Sequence, residues 1–259
     1  MKNSIFLKGV IKKEIDDFIN KHCKDAGFEN IWREPAVKYA DPSAPEIAGL
    51  KKTVCPEHYM PWDFMEEPKS IISYFLPFKP EIAASNIDGD APSALWGEAY
   101  VRTNEMAARL NDRLVEAAEN LGFKAAVPRG AFRISDEKIY SRWSQRHIAW
   151  IAGHGTFGIN NMLIADQGSC GRYFSVVTAL PVETDEPARV ERCMSKRDSG
   201  TCGVCVRRCP AEAFTPDGYD RAKCMEACAG NGRKLGNPKA GVCGKCDVGL
   251  PCSFKNPIG

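Results

Sequence analysis

The sequence predicts an α/β protein in two parts, a core over residues 1–187 and a smaller domain over residues 188–259. Three observations lead to this prediction. Helix-like and strand-like patterns alternate through the first part, as they do in layered α/β folds. Nine of the twelve cysteines lie in the second part, between Cys193 and Cys252. The acidic, proline-containing stretch Pro181–Pro187 lies between the two and is typical of a linker.

Helical spacing of apolar residues predicts a first helix over residues 10–26, with Gly27 as its stop. Residues 30–69 are rich in proline and short polar breaks, which predicts that they are mostly loop. The run Ser70–Phe75 predicts a buried strand, because it is apolar and short. Residues 80–92 contain proline, glycine and aspartate and predict another connection.

The longest predicted helix runs from Ala94 to Leu121, with Ser93 as its N-cap and Gly122 at its end. Apolar residues, among them Leu95, follow one face of this helix. The remaining elements are a helix over residues 144–152 and strands at Phe123–Val127, Met162–Ala165 and Tyr173–Leu180. This alternation predicts a three-layer α/β core.

Composition and charge exclude several classes of protein. The 259 residues include 35 Lys+Arg against 33 Asp+Glu, with a formal net charge of +2 and 44% hydrophobic residues. This balance argues against a strongly basic nucleic-acid-binding protein and against wholesale disorder. The apolar runs are shorter than a membrane span, and residues 1–20 lack the apolar core of a signal peptide. We therefore expect a cytoplasmic protein with neither a membrane nor a nucleic-acid partner.

The clustered cysteines predict metal binding. A disulfide scaffold requires an oxidising compartment, and the sequence shows no export signal. Cys202, Cys205 and Cys209, followed by Pro210, have the spacing C-x2-C-x3-C-P. This is the last part of the bacterial ferredoxin motif C-x2-C-x2-C-x3-C-P, which binds [4Fe–4S] clusters. Zinc held by two C-x2-C pairs is the alternative, but the C-P ending and the C-x3-C step favour iron and sulfur.

Two [4Fe–4S] clusters need eight ligands. The first cysteine of the motif is replaced by Ser199, so Cys193 is the natural substitute. The predicted ligands are Cys193, Cys202, Cys205 and Cys252 for one cluster, and Cys209, Cys224, Cys243 and Cys246 for the other. Cys228 is left over and could replace Cys193 or Cys224.

Two glycine-containing loops could hold a second cofactor, because glycine permits close backbone approach and asparagine supplies amide donors and acceptors. The candidate cofactor-binding residues are Gly153, His154, Gly155, Phe157, Gly158, Asn160, Asn161, Gly168, Ser169 and Cys170. The first loop matches G-x-G-x-x-G but follows a predicted helix, which is the wrong context for a dinucleotide-binding turn. A tight connection that packs a strand is the structural alternative.

The order of these motifs resembles that of the epoxyqueuosine reductases, which are distantly related to the corrinoid-dependent reductive dehalogenases. The resemblance is carried by Arg146–Asn161, Gly168-Ser169, the Cys-Pro run, Asp220–Cys224 and the cysteines Cys243, Cys246 and Cys252. It implies a flavin-reductase-like, cobalamin-binding core followed by a ferredoxin-like domain. It also implies that two [4Fe–4S] clusters feed electrons one at a time to cobalamin.

One position departs from the pattern of this family. The family carries an acidic residue shortly before the glycine loop, thought to supply a proton, and Ile139 occupies the matching position here. We therefore take Tyr140 and Arg142 as candidate catalytic residues, with the tyrosine as proton donor; a packed aromatic is the alternative. The chain is also shorter than the tRNA-acting enzymes, so we expect a small molecule or a modified nucleoside as substrate.

Three functions follow as hypotheses. In the first, the protein is an enzyme that takes electrons from a low-potential donor such as ferredoxin or flavodoxin and uses cobalamin to reduce its substrate. In the second, it is an electron-transfer or cobalamin-handling partner of another corrinoid protein. In the third, flavin replaces cobalamin on the same core.

Overall fold

The computed structural model describes residues 3–129, 132–134, 139–197, 202–215 and 218–259. The helices are α1 (Ser4–Ala26), α2 (Pro45–Thr53), α3 (Pro80–Ala84), α4 (Ala94–Asn120), α5 (Gln145–Ile151), α6 (Met194–Arg197), α7 (Val204–Arg207) and α8 (Arg221–Lys234). The strands are β1 (Ala36–Ala40), β2 (Ser70–Pro77), β3 (Ala125–Ala126), β4 (Phe132–Ile134), β5 (Ile139–Ser141), β6 (Gly155–Phe157), β7 (Leu163–Ala165), β8 (Gly171–Thr178), β9 (Phe214–Thr215) and β10 (Gly218–Tyr219). Short 3-10 helices lie at Pro61–Asp63 and Pro238–Ala240.

A four-stranded antiparallel sheet, in the order β1-β2-β8-β3, forms the centre of the fold. Strand β2 pairs with β8 along its whole length, from Ser70 opposite Thr178 to Pro77 opposite Gly171. All eight residues of β2 are buried. An antiparallel sheet commonly leaves one face in water, so this burial shows that both faces of β2 are covered.

Helices pack against the sheet from both sides. On one side, Ile72 and Tyr74 of β2 share a core cluster with Ile15 of α1 and Leu110 of α4. On the other side, Ile71 joins a cluster that contains residues of α2 and α5. Because neighbouring residues of a strand point to opposite faces, the apolar run of β2 supplies both cores. The α/β class is confirmed, whereas the flavin-reductase-like and ferredoxin-like descriptions of the two parts stay predictions.

The predicted caps of the two long helices are present. Gly27 ends α1 with a φ of 65°, which favours glycine. Ser93 caps α4, because its hydroxyl accepts a hydrogen bond from the backbone N–H of Trp96 at 3.0 Å. Helix α4 ends at Asn120, one residue before the predicted end. Leu95, predicted to continue the apolar face of this helix, is exposed.

Residues 30–69 are mostly loop, as predicted, but a strand and an α-helix interrupt them. The segment contains β1, which pairs with β2 at the edge of the sheet, and α2. Pro45 and Pro80 occupy first-turn positions of α2 and α3, where proline is compatible with a helix because its missing N–H has no partner there anyway. The prolines therefore mark helix starts at two places where the sequence favoured loops.

Part of the predicted glycine loop is a strand. Residues Gly155–Phe157 form β6, which pairs with β7 in an antiparallel hairpin. A Cβ atom at Gly155 would lie 1.9 Å from the carbonyl oxygen of Ile164. Glycine is therefore required at this position by the close approach of two strands.

We expect Gly155→Ala to lower the free energy of unfolding by about 3 kcal/mol, because the new methyl group must push a backbone carbonyl aside. Gly49→Ala is the matched control: Gly49 lies on the exposed side of α2, and among the described residues no atom would approach its Cβ within 4 Å. The free energy of unfolding of this control should rise by about 0.5–1 kcal/mol, because alanine has a higher helix propensity than glycine. Denaturant unfolding measures both changes, and an unaltered midpoint for Gly155→Ala would contradict the packing role.

The cysteine-rich part packs directly on the α/β core. The Lys245 side chain is 2% exposed, and its Nζ donates to the carbonyl oxygens of Asn86 at 2.9 Å and Asp88 at 2.7 Å. The Cys170 thiol donates to the carbonyl of Asp247 at 2.8 Å. None of the helices in the described ranges combines the length and apolar character that a bilayer crossing needs.

Candidate functional site

Four cysteines converge on one cavity, and we call them the first cysteine group: Cys193, Cys202, Cys205 and Cys252. They come from three separate stretches of chain, namely the residue before α6, the region of α7, and the C-terminal segment. Burial is the main cause that raises the pKa of Cys252 to about 12, and the neighbouring Asp247, Cys205 and Cys193 add to it. Burial raises the pKa of Cys205 to about 11. Without a cation the Cys205 and Cys252 thiols stay protonated, so a metal centre would have to hold these two as thiolates.

Five cysteines line a second cavity of about 220 Å³, and we call them the second cysteine group: Cys209, Cys224, Cys228, Cys243 and Cys246. Cys224 and Cys228 lie one turn apart on α8, and both line this cavity. The structure thus places the leftover Cys228 beside Cys224 and not in the first group. Ser199 lies outside the described residues.

The donor chemistry of the first group fits a [4Fe–4S] cluster. Its described lining residues include four thiols but neither a carboxylate nor an imidazole. In the ranges that the structure describes, no three His, Cys, Asp or Glu side chains meet closely enough for a single metal ion. A cubane binds each thiolate to a different iron, so its ligands stand farther apart than those of one zinc ion.

Residues of the predicted cofactor loops hold the cysteine-bearing segments. Asn160 lines the first cavity, and its side-chain amide donates to the carbonyl of Cys246 at 2.6 Å. The backbone N–H of Ser169 donates to the carbonyl of Cys252 at 2.9 Å. These bonds place the two cysteine groups side by side, so Asn160 and Ser169 support the predicted ligands.

The predicted glycines approach the protein's own backbone. A Cβ atom at Gly168, whose φ is +88°, would lie 2.4 Å from the carbonyl oxygen of Ser253. A Cβ atom at Gly153 would lie 2.4 Å from the carbonyl oxygen of Glu186. These glycines therefore pack connections against neighbouring chain, as the structural alternative expected. Gly158 lines the first cavity, whereas Phe157 and Asn161 line a separate cleft described below.

His154 is 2% exposed and lies under the sheet. Its Nε2 is 3.1 Å from the carbonyl oxygen of Ser73, and its ring packs edge-on against Tyr173. Burial lowers the pKa of His154 to about 3. The imidazole is thus a neutral structural group that hydrogen-bonds the sheet.

This burial predicts a pH dependence of stability. An unfolded histidine has a pKa near 6.5, so between pH 6.5 and 3 the unfolded chain binds a proton that folded His154 does not. The contribution of neutral His154 to the free energy of unfolding is complete above pH 6.5. It decreases as the pH falls, and about 2 kcal/mol of it is lost at pH 5. Denaturant unfolding at pH 7 and pH 5 should show a smaller loss for His154→Gln than for the unaltered protein. The partly exposed His22 offers the control His22→Gln, and equal losses in all three proteins would contradict the prediction.

A cleft of about 440 Å³ lies beside the second cysteine group. Cys224 and Cys228 line both this cleft and the second cavity. Its wall also contains Tyr140, Ser144, Arg146, His147, Phe157, Asn161, Tyr219 and Arg221. The described lining contains two arginines and no carboxylate, so the cleft favours anionic or electron-rich ligands.

Hydrogen bonds and burial set the charge states in the cleft. A hydrogen bond from Cys228, with another from Tyr219, lowers the pKa of Cys224 to about 6. Burial and the neighbouring Arg146 lower the pKa of His147 to about 4. His147 is therefore neutral at pH 7, and its Nδ1 lies 2.7 Å from the hydroxyl of Ser144.

The two candidate catalytic residues have different surroundings. Tyr140, on β5, lines the cleft. Arg142 donates a hydrogen bond to the hydroxyl of Tyr59 at 2.8 Å, and its guanidinium lies 4.7 Å from the centre of that ring. The Ile139 side chain lies outside the described residues. Tyr140 is thus the member of the pair that a ligand in the cleft would meet.

Sequence reasoning missed several residues of the site. Thr53 and Tyr219 line the cleft although they are far apart in the sequence, and no local pattern marks them. Arg221 also lines it; this residue belongs to the stretch Asp220–Cys224 that carries the resemblance, but it was not among the predicted site residues. Asp247 lines the second cavity at 6% exposure, and burial raises its pKa to about 6. Its position directly after Cys246 was the available signal.

Comparison of folds finds reductases among the similar structures. The sequence itself matches no protein-family model and no curated protein. The epoxyqueuosine reductase from Bacillus subtilis, solved with its aspartate-bearing catalytic loop swung out of the active site, has a TM-score of 0.52 at 15% identity, over 93% of this chain and 66% of that one. The enzyme from Streptococcus thermophilus gives 0.51 at 19% identity, over 95% and 68%. A catabolic reductive dehalogenase in complex with 3-bromo-4-hydroxybenzoic acid gives 0.54 at 16% identity, over 86% and 30%.

The similar structures are epoxyqueuosine reductases and reductive dehalogenases, which confirms the resemblance seen in the sequence. At these identities the comparison shows a shared fold. The chain spans 66% of another epoxyqueuosine reductase, at a TM-score of 0.50, and 30% of the dehalogenase.

Proposed function

We propose that the protein is an iron–sulfur oxidoreductase that passes low-potential electrons through two [4Fe–4S] clusters to a cobalamin bound in the cleft. The observation that carries this proposal is the position of the second cysteine group. Cys224 and Cys228 belong both to the second cavity and to the wall of the cleft, so one set of thiols borders both sites.

Each cysteine group would hold one cluster. The ligands of the first are Cys193, Cys202, Cys205 and Cys252, and those of the second are Cys209, Cys224, Cys243 and Cys246. The clusters would supply one-electron transfer, and cobalamin a strongly reducing and nucleophilic cobalt. Because no cysteine of the first group is in the described wall of the cleft, an external ferredoxin or flavodoxin would deliver electrons at the first group.

The cleft residues would bind and orient the acceptor and its substrate. Arg146 and Arg221 supply positive charge, and Phe157 supplies an apolar surface. His147 is neutral and can exchange a hydrogen bond with a ligand without adding charge. The Tyr140 hydroxyl would provide the proton that a reduction consumes, in place of the acidic residue of the similar enzymes. The substrate would be a small organic molecule or a modified nucleoside.

Anaerobic reconstitution tests the proposal. We expect about eight irons per chain and the broad visible absorption of [4Fe–4S] clusters. Added hydroxocobalamin should change its spectrum on binding and again on reduction by a ferredoxin. Arg146→Gln should weaken this binding, whereas Arg109→Gln, on α4 and distant from the cleft, should not. Zinc in place of iron, or a cobalamin spectrum that does not change, would overturn the proposal; binding of added flavin in its place would support the third hypothesis.

The extra thiol of the second group permits a sharper test of its ligands. We assign Cys224 as the ligand, and Cys228 as its neighbour one turn further along α8. Cys228→Ser should then keep the electron paramagnetic resonance signal of the second cluster. Cys224→Ser should lose or alter that signal, and the opposite outcome would exchange the two roles.

A further inference from the structure

Trp96 of α4 differs from the other buried or half-buried tryptophans in the hydrogen bonding of its indole N–H. Its side chain is 4% exposed and lines the second cavity. Its indole lies against Gly244, between the proposed ligands Cys243 and Cys246, so closely that a Cβ on Gly244 would be 2.4 Å from Nε1. Gly244 also has a φ of +74°. Glycine is therefore needed in this C-x2-C turn for both its conformation and its contact with Trp96.

The indole N–H of Trp96 has no acceptor among the residues that the structure describes. The three other buried or half-buried tryptophans all donate at 2.9 Å: Trp32 to Thr103, Trp143 to Ser175, and Trp150 to the carbonyl of Ala188. A buried donor without a partner is costly, and native proteins rarely leave one. Trp96 thus calls for an acceptor inside the second cavity.

The second cavity contains further unpartnered polar atoms. Arg172 lines it, its guanidinium lies 4.4 Å from the centre of the Tyr100 ring, and its Nε has no partner in the described ranges. Asp247 Oδ1 also has no partner in the described ranges. A negative charge on this carboxylate would disfavour reduction of a nearby cluster, whereas the two N–H donors would favour it. Thiolate and sulfide sulfurs bear negative charge and accept hydrogen bonds, so a cluster here would satisfy the two N–H donors.

We propose that Trp96 donates its indole N–H to a sulfur of the cluster held by the second cysteine group, and thereby raises the reduction potential of that cluster. This inference rests on the proposed function. Reduction adds one electron from the external donor and makes the sulfurs better acceptors, so the donor stabilises the reduced state more than the oxidised state. The effect would draw electrons from the first group toward the cleft.

The test is a redox titration of Trp96→Phe followed by electron paramagnetic resonance. One net hydrogen bond is worth up to about a tenfold change in the equilibrium constant for reduction, and tenfold corresponds to about 59 mV for one electron. We expect the equilibrium constant for reduction of one of the two clusters to fall threefold to tenfold, so that this cluster titrates at a more negative potential. The reduction potential of the other cluster should stay unchanged. Trp143→Phe is the matched control, because it removes an indole N–H that already has a partner in the core.

A second replacement separates the hydrogen bond from packing. Incorporating benzothienylalanine at position 96 keeps the ring shape and replaces N–H by sulfur. The same negative shift would support the inference, and unchanged potentials with both clusters present would overturn it while leaving the proposed function intact. If the unaltered protein assembles no clusters, the proposed function and this inference both fail.

Discussion

Replacing Cys205 or Cys252 by serine is expected to remove one of two clusters and to leave about four of about eight irons per chain. Both thiols line the first cavity and neither lines the second. A serine hydroxyl is a poor substitute for a thiolate toward iron, so the loss should be confined to the first group. Iron and sulfide analysis after anaerobic reconstitution measures the change, and the resonance signal that remains belongs to the second cluster.

The chain provides its own controls for these substitutions. Cys23 lies in α1 among core residues, and Cys55 lies near the carbonyl of Ser141, apart from both cysteine groups. Cys23→Ser and Cys55→Ser should keep the full iron content. If Cys205→Ser also keeps all its iron, the first group does not hold a cluster.

The cysteine groups could be predicted because ligand spacing is a local property. Short loops such as Cys202–Cys205 and Cys243–Cys246 bring thiols together wherever they occur, and the structure gathers the two predicted sets around two cavities. Strand β2 was equally visible, since a strand covered on both faces needs a continuous apolar run.

The cleft could not be predicted in this way. Its wall combines Thr53, Tyr140, Phe157 and Tyr219, which meet only after the fold brings distant segments together. The glycine loop shows a related limit. A sequence indicates that a side chain is excluded at Gly155, but not whether a cofactor or another strand is responsible. Here the excluding atom is the carbonyl oxygen of Ile164.

The junction between the α/β core and Cys252 gives the second large prediction. The backbone N–H groups of Ser169 and Cys170 donate to the carbonyls of Cys252 at 2.9 Å and Ser253 at 3.1 Å. Gly168 fits against this segment only without a side chain, because its Cβ would lie 2.4 Å from the Ser253 oxygen and 2.5 Å from the Phe254 nitrogen. Any group at position 168 must therefore move the chain that carries Cys252.

We expect Gly168→Ala to lower the free energy of unfolding by about 4 kcal/mol, of which about 1 kcal/mol is backbone strain and the rest the clash. We also expect it to lose the first cluster, because displaced Cys252 no longer meets Cys193 and Cys205. Gly122→Ala is the matched control, since its φ is +92° but no described atom would lie within 4 Å of the new Cβ. The control should lose only about 1 kcal/mol and keep all its iron. Equal losses of stability in the two variants, or full iron content in Gly168→Ala, would show that this contact does not position Cys252.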